Sequence, residues 1–147
     1  MSKTRNYLHI VFGTKYRQRT ITLTGREKLY SYISGIIKNK KSTLISINGI
    51  EDHVHILLNL HPTIALADMV RDIKSEATKM IIETKCFPMY EGWASEYFAS
   101  SVSPSHVESV KAYIDNQEEH HKSKGYEEEV KGFLQKMGMT LYTDDLD

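Results

Sequence analysis

Two histidines one residue apart, His53 and His55, can do chemistry by type and spacing. So can a tyrosine followed four residues later by a glutamine, Tyr113 and Gln117. Imidazole nitrogens bind divalent metal ions. A phenol is an oxygen nucleophile that can form a covalent intermediate. A phosphodiester is an anion and repels such a nucleophile until a cation neutralises it. A histidine pair beside a tyrosine therefore suits metal-assisted phosphoryl transfer. A lone His-x-His also has a plainer reading, two surface histidines on an ordinary amphipathic strand.

The elements that must position these residues are legible in the pattern. Residues 51–60 alternate, with Val54, Ile56, Leu58 and Leu60 apolar and His53, His55, Leu57 and Asn59 between them. Period-two alternation predicts a strand with one buried face. His53 and His55 then stand side by side on the opposite face, about 7 Å apart along the strand. Tyr113 and Gln117, four apart, share one face of a predicted helix that starts at Ser103-Pro104 and runs to about residue 121. Asn116 and His120 flank them. This face lies about a quarter-turn from the apolar stripe of Val107, Val110 and Ile114. Nine tyrosines are present, and only Tyr113 combines a helix, an amide at i+4 and a place beside the apolar stripe.

The rest of the chain supplies a sheet and two covering helices. Residues 7–13 alternate as a first strand, with Leu8, Ile10 and Phe12 toward the core and His9 an ordinary sheet-surface histidine. Thr24 with Glu27 is a candidate capping box for a helix over 25–39. Residues 43–49 are a second strand, joined to the histidine strand by a tight antiparallel turn. Ile64, Leu66, Met69, Val70, Ile73, Ala77, Met80 and Ile81 predict a helix over 65–84. Residues 93–102 are a fourth strand, and residues 127–137 a short acidic helix with Val130, Phe133 and Leu134 as its docking face. The order is the βαββαβ plan of an α+β, ferredoxin-like or RRM-like antiparallel sheet, with helices on one face and additional C-terminal helices. The His pair would sit on the open face.

A chain of 147 residues suits a single domain, and 40% apolar with 26% charged residues is ordinary for a soluble protein. The lone Cys86 excludes an internal disulfide and a thiolate metal cluster, in keeping with a reduced, cytoplasmic setting. No membrane span or signal peptide is expected. Net charge is zero but uneven. Residues 1–50 hold ten Lys/Arg against one acid, and residues 86–147 five against twelve. A basic half is a candidate footprint for a phosphate backbone. Lys15, Arg17 and Arg19 surround Tyr16, which could stack on an unpaired base. Arg71 and Lys74, with Lys79, offer a second cationic face. For each cationic segment the alternative is a solvated surface.

Several segments together resemble the HUH single-tyrosine transposases, small enzymes that move bacterial insertion sequences as single-stranded DNA, and the related REP-associated tyrosine transposases. They are Tyr7 to Arg17, Glu51 to Leu58, Val70 to Lys74, Gly92 to Ser103, and Tyr113-Ile114-Asp115-Asn116-Gln117 with Glu118 to His121. The resemblance makes His53 and His55 metal ligands around Val54, Gln117 the third ligand and Tyr113 the nucleophile. It implies Mg²⁺ or Mn²⁺, a 5′-phosphotyrosine intermediate and a free 3′-OH. It also implies single-stranded DNA with hairpin or palindromic ends as partner, and a homodimer whose tyrosine helix can serve the other subunit. The acidic C-terminal third departs from a DNA-wrapping surface. Two other functions remain open: a non-catalytic nucleic-acid-binding module of the same fold, and a water-using metal-dependent hydrolase with Asp52 as a further ligand.

Overall fold

The structure, a computed structural model, describes residues 2–117 together with 128, 131 and 132. His120, His121, most of the expected acidic helix and the C-terminal tail lie outside the described residues.

Strand β1 (Tyr7–Gly13) pairs antiparallel with β3 (His53–Asn59) on one side and with β4 (Phe98–Ser101) on the other, and β2 (Thr43–Ile50) pairs with β3. The sheet order is β2-β3-β1-β4. Helix α1 spans Leu23–Asn39, α2 spans Leu66–Thr84, and α3 spans Val107–Asp115 after a 3₁₀ turn at Pro104–His106. This is the expected α+β, ferredoxin-like plan.

Alternation divides the sheet residues between two faces. Leu8, Ile10 and Phe12 of β1 and Val54, Ile56 and Leu58 of β3 join one apolar cluster with Leu29, Ile33 and Ile37 of α1. Met69, Val70, Ile73, Ala77, Met80 and Ile81 of α2 complete it. Fully burying each large aliphatic side chain contributes about 1.5–3 kcal/mol, so this face holds the fold together.

The β2–β3 connection is two residues long, with Ile50 opposite His53. Gly49 makes that approach possible. A Cβ there would lie 2.2 Å from the His53 carbonyl oxygen and 3.0 Å from the Val54 Cα. The start of the histidine strand is thus set against bare backbone.

Three boundaries differ from expectation. The capping box at Thr24 is not formed, because Gly25, which would be the first helical residue after such a cap, is non-helical with φ +103°. Regular helix begins at Arg26, whose Nε donates to the Ile21 carbonyl (3.0 Å). The fourth strand is shorter than 93–102, and Trp93 instead forms an isolated bridge with Thr14. Helix α3 ends at Asp115, with Asn116 as its C-cap, and Gln117 is helical again beyond that one-residue break.

The face opposite α1 and α2 is not open along β3. Helix α3 lies over β2 and β3 there, and His53, His55 and Leu57 are all buried. Two β2 side chains fasten the helix. Asn48 Nδ2 donates to the carbonyls of Ile114 (3.0 Å) and Asp115 (3.2 Å). Both carbonyls belong to the last turn of α3. Ser46 Oγ donates to the Asp115 carboxylate (2.6 Å). Ile114 itself is fully buried.

Candidate active site

Three elements meet on the α3 side of the sheet: β1 through His9, β3 through His53 and His55, and α3 through Tyr113, with Gln117 just beyond. The His53 and His55 ring centroids are 5.0 Å apart. The Tyr113 ring stands edge-on to His55 at 5.8 Å and to His9 at 6.3 Å. Gln117 is fully buried and Tyr113 partly so.

Each histidine of the pair has a partner behind it. Asp52 Oδ1 lies 2.7 Å from His53 Nδ1. A carboxylate can only accept, so in the neutral ring Nδ1 carries the proton and Nε2 the lone pair. Asp52, offered by the sequence as a metal ligand in a water-using hydrolase, instead orients His53 from behind. His55 Nδ1 lies 2.8 Å from His9 Nε2. His9 is 2% exposed, which corrects its expectation as a sheet-surface residue. The signal was its shared face with the pair, and the β1–β3 register needed to use that signal is not readable from the strand alone.

The Nε2 atoms of both histidines and the Oε1 of Gln117 are buried from solvent. Among the described residues no third His, Cys, Asp or Glu is grouped with the pair as a metal cage. Asp115, two residues after Tyr113, has its carboxyl held below the ordinary range, first by the hydrogen bond from Lys111 and then by that from Ser46. Lys111 is raised in turn by Asp115. This pair stiffens the last turn of α3.

The expected DNA contacts separate in space. Lys15, Tyr16 and Arg17 form a 3₁₀ turn directly after β1, and Gly13 pairs with His53. Thr14 N donates to the Asp52 carbonyl (2.9 Å), and Lys15 N to the Gly92 carbonyl (2.9 Å). The turn is therefore pinned beside the His53 end of the pair. Tyr16 and Arg17 have φ of 56° and 53°, a left-handed conformation costing about 1–2 kcal/mol per residue. Tyr16 is 73% exposed, and Lys15 Nζ lies 5.5 Å from its ring centroid. Exposed Arg19 is 3.9 Å from Glu51.

Arg71 and Lys74 are on α2, which packs against the other face of the sheet. Exposed Arg71 contacts Asp68 and Asp72, each at 3.2 Å. Lys74 Nζ donates to the carbonyls of Ala94 (2.9 Å) and Glu96 (3.1 Å). It also lies 5.8 Å from the Phe12 ring centroid and 5.9 Å from that of Tyr97, and burial lowers its pKa. Lys74 ties the segment before β4 to α2.

The fold and site define an antiparallel α+β sheet that carries a buried histidine pair under a helix-borne tyrosine. A family described as "Transposase IS200 like" matches residues 2–117, and the chain belongs to that family and is a transposase. It is 25% identical over 130 residues to the ISDra2 transposase TnpA of Deinococcus radiodurans, covering 80% of this chain and 91% of that protein. It is 24% identical over 119 residues to the IS200 transposase of Salmonella typhimurium, covering 78% of each. Two solved structures share the fold. One is a Deinococcus radiodurans transposase (TM-score 0.63, 22% identity, 79% of this chain and 93% of that one). The other is a REP-associated tyrosine transposase bound to a REP hairpin (TM-score 0.59, 14% identity, 79% and 72%). Among the described residues no helix is long and apolar enough to cross a membrane.

Proposed function

We propose that this transposase cuts and rejoins single-stranded DNA through Tyr113, at ends marked by a hairpin or palindrome. The observation that carries the proposal is Tyr113 standing edge-on to His55, 5.8 Å away, over the sheet face that holds the His53–His55 pair. The Tyr113 oxygen attacks phosphorus, the bond from phosphorus to the 3′ oxygen breaks, and the proton that the phenol gives up is balanced by one that the departing 3′ oxygen takes up. The products are a 5′-phosphotyrosine and a free 3′-OH. Attack by a second 3′-OH reverses the step, joins two strands and releases the tyrosine, so no energy source beyond the phosphoester is needed.

Two imidazoles and one amide oxygen fit a divalent ion, Mg²⁺ or Mn²⁺, which His53, His55 and Gln117 would hold. When bound, the ion supplies Lewis-acid neutralisation of the phosphate charge. The protein residues do the remaining work. Asp52 fixes the tautomer of His53. The bonds from Ser46 and Asn48 hold the helix that carries the phenol, which limits its angle of approach. Lys15, Arg17 and Arg19 grip the backbone of the DNA beside the site. Tyr16, exposed on a left-handed turn, offers a stacking surface to an unpaired base. A hairpin as ligand is supported by the REP-hairpin complex of the related fold. A homodimer is part of the same proposal.

The test uses a single strand carrying a hairpin and labelled at both its 5′ and 3′ ends, incubated with Mg²⁺ or Mn²⁺ and resolved on a denaturing gel. The wild type should cut it and leave a protein–DNA adduct. Tyr113→Phe should bind the hairpin and form neither product. Cleavage without an adduct would favour a water-using hydrolase and overturn the tyrosine mechanism. Binding with no cleavage by the wild type would favour a non-catalytic module.

A further inference from the structure

His9 lies on the site face of β1, with Leu57 opposite it and His55 opposite Val11 in the β1–β3 register. It is therefore the diagonal neighbour of His55, a separation that long side chains span. Its Nε2 is 2.8 Å from His55 Nδ1, the two ring centroids are 5.1 Å apart, and both residues are 2% exposed. The same His9 ring meets Tyr113 edge-on.

One shared proton decides what His55 can do. A neutral imidazole carries one donor nitrogen and one acceptor. If His9 donates, His55 Nδ1 accepts, the His55 proton sits on Nε2, and that nitrogen cannot ligate. If His55 donates, His9 accepts through Nε2, and His55 Nε2 carries the lone pair. Only the second arrangement matches that of His53, whose tautomer Asp52 fixes.

We propose that His9 is a positioning residue. It accepts the Nδ1 proton of His55, and so holds His55 in the tautomer and orientation that bind a divalent ion. The inference rests on the proposed metal role of the pair. Outer partners of metal-bound histidines contribute about 10- to 100-fold in affinity. The two histidines thus have unlike supports, a carboxylate for His53 and an imidazole for His55.

The test compares wild type, His9→Phe and His9→Gln in Mn²⁺ titrations followed by the electron paramagnetic resonance signal of free Mn²⁺, without DNA. His9→Phe keeps a ring but has no acceptor and should weaken Mn²⁺ binding about 10- to 100-fold. His9→Gln restores an acceptor oxygen and should recover most of the loss. Metal-free hairpin affinity should be the same in all three. Because His9→Phe could fail to fold, ¹⁵N NMR of the metal-free wild type reads the tautomer directly. His55 should show a protonated Nδ1 and a bare Nε2. A protonated Nε2, or unchanged Mn²⁺ affinity in folded His9→Phe, overturns the role of His9. Wild type that binds no Mn²⁺ overturns the metal reading itself, an outcome separable because the tautomer is read without metal.

Discussion

Replacing Asn48 tests whether β2 sets the position of the Tyr113 helix. Asn48 Nδ2 donates to two carbonyls at the end of α3, and each such bond contributes about 0.5–1.5 kcal/mol net. Asn48→Ala should therefore weaken docking by about 1–3 kcal/mol. The helix keeps the burial of Ile114, about 1.5–3 kcal/mol, and the Ser46–Asp115 bond, so it stays mostly docked. A loss near 2 kcal/mol moves the docked-to-undocked ratio about 30-fold. Native-state hydrogen exchange reads this locally. Amides of α3 should exchange about 30-fold faster, while those of β1 and β3 hardly change. Asn48→Asp separates this effect from the side chain's second contact, the bond it accepts from Gly49 N (2.9 Å). The aspartate keeps that acceptor but turns a negative charge toward the negative end of the helix. It should loosen α3 more than alanine does. Equal protection in all three proteins, or faster exchange across the whole sheet, would refute β2 as the fastening of this helix.

Three further outcomes are expected. Replacing Lys15, Arg17 and Arg19 together with Ala should flatten the logarithmic salt dependence of hairpin binding by about two to three, since each phosphate contact contributes about 0.7–0.9. An unchanged slope would move the DNA surface away from this turn. A mixture of Tyr113→Phe with His53→Ala/His55→Ala chains should recover no cleavage, because Tyr113 lies 5.8 Å from the His55 of its own chain. Recovery in verified heterodimers would mean that the helix is exchanged between subunits. The folded pKa of Asp115 is below its ordinary 3.8. Its contribution to α3 docking is therefore present above 3.8 and lost as pH falls through the lower folded value. The Ile114 methyl resonances should report docking that holds from neutral pH down to that range, and loosening already complete above 3.8 would contradict the Asp115 anchor.

Local periodicity carried much of the fold. The alternation of residues 7–13 and 53–59 named the core faces of β1 and β3, because side-chain direction in a strand depends only on parity. The helical spacing from Leu66 to Ile81 gave α2 its range and its buried face for the same kind of reason. His53 and His55 were side by side on any strand that contained both. What these periods cannot carry is which distant face is brought against them. His9 looked like a surface residue until the β1–β3 register set it against His55, 46 positions away. The sheet face looked open until Ser46 met Asp115 across 69 positions. Lys74 looked like a free cation on a solvated helix until the segment before β4 brought two carbonyl oxygens to its ammonium. The sequence by itself determined which residue types stand on each strand and helix face. Only the tertiary structure decided which of those faces meet, because pairing register and helix docking are set by contacts between residues far apart in the chain.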